Sequence, residues 1–224
     1  GILSGNMGRR ARAILVSGVI AASAIGIAVA PTGGGGGAPA GTANLYAGLS
    51  EVFLEKGDIA IARDHLRHGE ELGERAALPD WHYRLRCLQA RFAEIDGMPD
   101  RALALLDEAE QWYYQGPLPD LRPVAALKAR LLIRQGRLAE ARQWTREHRI
   151  TVDDTLTYIH AFEHVTLARL LIASARRDQD ESALRAAENL LDRLYAAADA
   201  GGRIGEMIEI QALQALAAAE GDGS

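Results

Sequence analysis

The chain has 224 residues, of which 48% are hydrophobic and 5% aromatic, and a length of this order can bury one or two domain cores. Residues 1–40 contain three arginines and no acid, so the remainder holds 22 basic and 30 acidic residues, a net charge of −8. An acidic body lacks the clustered Lys and Arg that a phosphate backbone requires. Direct nucleic-acid binding by these residues is therefore excluded as a main function.

The N-terminal segment, residues 1–40, differs in composition from the rest of the chain. Arginines between residues 9 and 12 precede eighteen uncharged, mostly apolar residues, 13–30, and five glycines stand at 33–37. A basic flank, an apolar stretch and a small-residue tail are typical of a secretory signal or membrane anchor. Eighteen residues are few for a span of about 20, so a soluble helix or a disordered head remains an alternative. Any membrane contact is expected only through residues 13–30, and the glycines form a flexible linker in either case.

Three glycine-containing turns interrupt the helical sequence further along the chain. Gly57, Gly97 and Gly136 recur at a nearly constant interval, and glycine suits the left-handed geometry that ends a helix. A fourth turn is predicted at Gly221. Small residues recur seven positions before and five positions after the three spaced glycines: Ser50, Ala90, Ala129, Ala62, Ala102 and Ala141. Such residues let two helices approach closely, which predicts stacked helical hairpins.

The predicted helices can be paired across these turns. They are 43–55 with 59–75, 81–95 with 99–114, 122–135 with 138–148, 154–174 with 181–200, and a single helix 203–219. Asp153 or Asp154 is the expected N-cap of the seventh helix. The predicted fold is all-α: a right-handed superhelix of about four and a half tetratricopeptide-like hairpins over residues 41–224, with a period above the usual 34. Because the last helix has no partner, a fragment of a longer protein is expected.

Four segments carry a family resemblance. The most specific is Phe-Glu-His-Val-Thr-Leu-Ala-Arg at 162–169, and the others are 41–52, 102–110 and 208–213. They resemble the repeat region of the MalT-type ATP-dependent transcriptional regulators of the LuxR group, over about residues 41–220. In that family an ATPase module precedes the repeats and a helix-turn-helix module follows them, and neither motif is present here.

The resemblance implies a non-catalytic sensor fragment in the cytoplasm, which binds a protein partner or a small-molecule inducer in a concave groove without a cofactor. A membrane-tethered or exported scaffold for protein–protein interaction is the alternative. No Ser/His/Asp or Cys/His arrangement has a spacing that suggests catalysis. We therefore do not expect an enzyme.

Four arginines are the candidate groove residues. Arg91, Arg130 and Arg169 are evenly spaced at the interval of the turn glycines, which predicts a row along the first helices of successive hairpins, and Arg84 is close enough to join it. Guanidinium groups in a row suit a carboxylate, a phosphate or an acidic peptide. The alternative is that each arginine pairs with an acid of the next hairpin, such as Glu94 or Glu163.

Other candidate residues are predicted to be structural. His160, Glu163 and His164 share a helical turn and could begin a zinc site, but no third ligand is evident, so packing or hydrogen bonding is expected and no metal. Cys87, the only cysteine, is expected to be a buried or groove-facing structural thiol. Aromatic residues near hairpin junctions are predicted to pack in the core, with one of the two adjacent tyrosines facing outward: Trp81, Trp112, Tyr113, Tyr114 and Trp144.

Overall fold

The computed structural model describes residues 38–113 and 119–221, and within them all regular secondary structure is helical. The helices are α1 Thr42–Lys56, α2 Ile59–Leu72, α3 Trp81–Ile95, α4 Pro99–Gln111, α5 Val124–Arg134, α6 Leu138–Glu147, α7 Ala161–Asp178, α8 Glu181–Ala200 and α9 Ile204–Gly221. A short 3-10 helix, Gly73–Ala76, follows α2. The all-α prediction is confirmed, as four hairpins and a ninth helix, and the right-handed superhelix stays a prediction.

The described residues divide into two compact units, unit 1 with residues 38–113 and unit 2 with residues 119–221. In unit 1, α1 pairs with α2 and α3 with α4, around a core that includes Trp81 and Leu88. In unit 2, α5 pairs with α6 and α7 with α8, and α9 packs on both α8 and α7, around a core that includes Leu190 and Leu191. Each unit therefore buries an apolar face that a single hairpin could not cover.

The membrane-related prediction falls largely outside the described residues. The apolar segment 13–30 and the glycine tract 33–37 both precede residue 38, where the description begins. Among the helices α1–α9, none is both long enough and apolar enough to cross a membrane.

The three turn glycines have the predicted left-handed backbone. The φ angles of Gly57, Gly97 and Gly136 are 82°, 71° and 73°, where a side chain would be strained. The small residues on either side of these turns are buried as predicted: Ser50, Ala62, Ala102, Ala129 and Ala141 are 0% exposed and Ala90 is 2% exposed. Helix contact at these positions is therefore confirmed.

The fourth hairpin departs from the prediction at both ends of its first helix. Helix α7 begins at Ala161 rather than residue 154 and ends at Asp178 rather than residue 174. Its C-cap, Gln179, has a left-handed φ of 53° and ψ of 42° without being glycine. Asp154 is not its N-cap: its carboxylate accepts hydrogen bonds from the Thr151 backbone N–H (2.9 Å) and hydroxyl (2.6 Å) and so stabilises the preceding loop. Gly221, predicted as a turn, is instead the last residue of α9. The other helix ends lie within three residues of their predicted positions.

Gln179 gives a test of this backbone conformation. A non-glycine residue in the left-handed region costs about 1–2 kcal/mol. Glycine removes this backbone strain, but part of the gain is offset because glycine increases the conformational entropy of the unfolded chain. We expect Gln179→Gly to stabilise unit 2 by about 0.5–1 kcal/mol, measured as a higher Tm. Gln135→Gly is the matched control, because Gln135 is the C-cap of α5 and has a right-handed conformation with φ −79°. A loss of stability in both variants would contradict the inferred backbone strain at Gln179.

Candidate functional site

In unit 1, the candidate arginines lie on α3 and pair with acids of α1. The Nη2 atom of Arg84 lies 3.3 Å from Oε2 of Glu51. The Nη2 atom of Arg91 lies 2.7 Å from Oε1 of Glu55. Each guanidinium group is partly exposed and has one carboxylate beside it. Each of these two arginines thus forms an ion pair with one carboxylate of the preceding hairpin.

In unit 2, the candidate arginines from two helices meet at a single oxygen atom. Nη1 of Arg130, on α5, and Nη2 of Arg169, on α7, each lie 2.9 Å from Oε1 of Glu209, on α9. Glu209 follows Arg169 by one further period of the repeat, so the regular spacing extends to it. Glu209 was not among the predicted site residues, although a search for acids one period beyond Arg169 would have found it.

Arg130 is the most enclosed of the four arginines, with a side chain that is 17% exposed. Its guanidinium carbon lies 3.7 Å from the centroid of the Phe162 ring, and its Nε donates to the Thr166 hydroxyl at 2.8 Å. Burial lowers the pKa of Arg130 to about 10, while the Glu209 carboxylate acts in the opposite direction. The group therefore stays charged at neutral pH and is held in one orientation by stacking and hydrogen bonds.

A third guanidinium group, that of Arg122, lies near this pair. Its central carbon lies 5.7 Å from the centroid of the same Phe162 ring, and its side chain is exposed. Burial alone would raise the pKa of Glu209, but the charges of Arg130, Arg169 and Arg122 outweigh burial and lower it. We call Arg122, Arg130 and Arg169, with Glu209 between them, the arginine cluster.

One donor of the arginine cluster has no partner in the described structure. Nε of Arg169 is buried and makes no hydrogen bond, although Nη2 of the same side chain contacts Glu209. A buried N–H without an acceptor is costly, by about 1–3 kcal/mol. The cluster thus combines three guanidinium groups and one carboxylate with a buried donor that has no acceptor.

The comparison with protein families covers most of the chain. A family model described as the MalT-like TPR region matches residues 21–223. The chain belongs to this family. Comparison with curated proteins and with solved structures gave no significant match.

The histidine group of this MalT-like TPR region forms hydrogen bonds, as predicted. Nδ1 of His160 lies 2.6 Å from Oε2 of Glu163. The buried His164 ring contacts the His160 carbonyl through Nδ1 (2.9 Å) and Oδ2 of Asp154 through Nε2 (3.2 Å). In residues 38–113 and 119–221, no group of three or more His, Cys, Asp or Glu side chains is arranged to hold a metal ion.

Asp154 gives a pH-dependent prediction. Hydrogen bonds from Thr151, with a smaller contribution from His164, lower the pKa of Asp154 below its ordinary 3.8. A lowered pKa means that the ionised form stabilises the fold above about pH 4, and that this stabilisation is lost as the pH falls through the folded-state pKa. We expect Asp154→Asn to cost about 1 kcal/mol at pH 7 and much less at pH 2, measured by thermal unfolding. Asp153→Asn, at the exposed neighbour, is the control, and an equal loss at both pH values would contradict the pH dependence.

Two of the three tryptophans are buried as predicted, and one is not. Trp81 and Trp144 lie in the cores of their units. Trp112 is 51% exposed, so its assignment to the core is wrong. It follows the last residue of α4, and its ring stacks on His82 with centroids 4.3 Å apart. Because Trp112 lies beyond the end of α4, it is not part of the buried face of that helix.

Tyr113 faces outward: it is 52% exposed and meets Tyr83 edge to face, with centroids 5.6 Å apart. Tyr114 lies outside the described residues. Cys87 lies on α3 and is partly exposed, and its structural role stays a prediction.

Proposed function

We propose that this MalT-like TPR region is a non-catalytic binding domain that acts as the sensor section of a LuxR-type transcriptional regulator. The first-helix arginines of each unit contact a protein partner or a small-molecule inducer: Arg84 and Arg91 in unit 1, and Arg130 and Arg169 in unit 2. The observation that carries the proposal is the arginine cluster, in which Arg130 and Arg169 share the Glu209 carboxylate and Arg122 lies near the same Phe162 ring as Arg130. Unit 1 contributes the same residue type with weaker, one-to-one pairing.

The chemistry of the cluster favours binding over catalysis. A guanidinium group presents fixed N–H donors that match carboxylate and phosphate oxygens, and it does not exchange protons readily near pH 7. Arg130 is immobilised by Phe162 and Thr166, so little side-chain entropy is lost when a ligand is bound. Arg169 is 36% exposed and offers an accessible donor. A rigid donor beside an accessible one is suited to recognition of an acidic group.

The experiment compares charge reversals on two helices of unit 2. Arg169→Glu alters the proposed site, whereas Arg185→Glu makes the same change on α8, where Arg185 pairs with Glu181 of its own helix and is 70% exposed. The full chain and both variants are used in partner capture and in a small-molecule thermal-shift screen. We expect Arg169→Glu to weaken the partner or inducer at least about tenfold, or about 1.4 kcal/mol, and Arg185→Glu to have no effect. Equal binding by both variants would contradict the proposed site.

The cellular location follows from the proposed regulator role and is tested separately. A sensor that acts on a transcriptional regulator works in the cytoplasm. The order of basic and apolar residues from 9 to 30 favours instead an exported or membrane-tethered scaffold. Fractionation of cells that express the chain with a C-terminal tag separates the two. An uncleaved product in the cytosol supports the sensor, and a shortened or membrane-bound product supports the scaffold.

A further inference from the structure

The arginine cluster itself holds three guanidinium groups and one carboxylate, and the Asp120 carboxylate outside it accepts from the backbone N–H of Arg122 at 3.0 Å. Arg122, Arg130 and Arg169 act on Glu209 together, and Arg122 and Arg169 also act unfavourably on Arg130. One carboxylate among three guanidinium groups leaves two positive charges in excess. We propose that the arginine cluster binds a phosphate group and that Glu209 shares the site as a resident carboxylate. This inference rests on the proposed binding function and names the ligand chemistry of the same site.

The phosphate assignment follows from the number of charges and acceptors. A phosphate carries a charge of about −1.5 to −2 at pH 7, which together with Glu209 would balance the three guanidinium groups. A single carboxylate would leave one positive charge in excess. Phosphate also has several oxygens, which could accept from the exposed part of the Arg169 guanidinium group and from Arg122 while Glu209 keeps its contacts.

Arg130 is held in place by its neighbours. Arg130 is fixed by the Phe162 ring and by its hydrogen bond to Thr166, and Thr166 in turn donates to the Phe162 carbonyl at 2.7 Å. Arg122 lies near the same ring and is exposed to solvent. The buried guanidinium thus serves as the fixed base of the site, and Arg122 and Arg169 supply the accessible donors.

The geometry also gives Glu209 a defined effect on affinity. Its carboxylate repels an incoming anion and occupies donors of Arg130 and Arg169. Glu209→Gln removes the negative charge and keeps the size of the side chain, so it should strengthen phosphate binding. Arg122→Gln removes an exposed donor and should weaken binding with little effect on folding. The two variants therefore shift affinity in opposite directions, which a nonspecific surface interaction would not do.

The test is isothermal titration of the full chain with inorganic phosphate at constant ionic strength. We expect Arg122→Gln to weaken binding about fivefold or more and Glu209→Gln to strengthen it about threefold or more, as for single charge-assisted contacts. Arg185→Gln is the control and should bind like the original chain. Glycerol phosphate in a parallel titration distinguishes free phosphate from a phosphomonoester, according to which binds more tightly. Circular dichroism confirms that each variant is folded, and if Glu209→Gln is not, Arg122→Gln decides the result.

Three outcomes would overturn the inference: no phosphate binding, equal binding by Arg122→Gln and the original chain, or succinate binding as tightly as phosphate. If phosphate fails while partner or inducer binding still depends on Arg169, the proposed binding function stands and only the ligand assignment falls. If Arg169→Glu also leaves partner and inducer binding unchanged, the binding function falls as well.

Discussion

Leucine in place of Ala141 should destabilise unit 2 by about 1–3 kcal/mol, because an added side chain has no space between the packed helices. Ala141 is 0% exposed and lies in a small apolar cluster with Leu138 of its own helix and Leu170 of α7. Leu132 and Ile133 of α5 pack against the same cluster. The side chain at position 141 therefore sets how closely α6 approaches its neighbours.

Ala139→Leu is the matched control, because Ala139 lies on the same helix and is exposed. A surface substitution of this kind changes stability by about 0.5 kcal/mol or less. Hydrogen exchange of α5–α7 peptides measures the difference within unit 2, where a loss of about 2.8 kcal/mol raises exchange about a hundredfold. If both variants exchange alike, the close helix contact at Ala141 is refuted.

The turns and the small residues of the first three hairpins could be predicted because their cause is local. A left-handed residue strongly favours glycine, and a helix crossing at short distance favours a residue with a small side chain. Gly136 and the buried Ala129 and Ala141 are therefore readable from spacing alone. The fourth hairpin lacks the first of these signals, since Gln179 takes the left-handed conformation in place of glycine.

The start of α7 could not be predicted because distant residues decide it. Asp154 has the local pattern of an N-cap, and that pattern alone predicts a helix start there. In the structure its carboxylate contacts Thr151 and His164. Arg193 of α8 also donates to the backbone carbonyls of Val152 and Asp154, 41 and 39 residues away. These long-range contacts hold residues 151–160 as a loop, and nothing in the local sequence indicates them.

The candidate site was predicted in part for the same reasons. The regular spacing identified Arg130 and Arg169, which the structure brings together on Glu209. Arg122 has no repeat-spaced counterpart, and its role becomes visible only through the Phe162 ring that it shares with Arg130. Periodicity thus finds residues that repeat, and it misses those that complete one site.

Methionine in place of Arg130 should cost unit 2 about 1.5–3 kcal/mol, the range for hydrogen bonds to charged groups. The change removes the bonds to Thr166 and Glu209, while the methionine side chain can still pack on the Phe162 ring. Arg91→Met is the matched control, because Arg91 is 36% exposed in a single ion pair and such pairs contribute about 0–1 kcal/mol. Thermal unfolding and hydrogen exchange of α5 and α7 peptides measure the loss.

A double-mutant cycle then separates the Arg130–Glu209 interaction from the general cost of burial. Glu209→Gln alone leaves Arg130 and Arg169 without their shared carboxylate, so it should also destabilise unit 2. In Arg130→Met/Glu209→Gln, one of those positive charges is gone, and the combined loss should be smaller than the sum by about 0.5–3 kcal/mol. Additive losses would show that the two side chains are stabilised independently, and the arginine cluster would not be a single electrostatic unit. A coupled result would show that the cluster links α5 to α9, since Arg130 lies on α5 and Glu209 on α9.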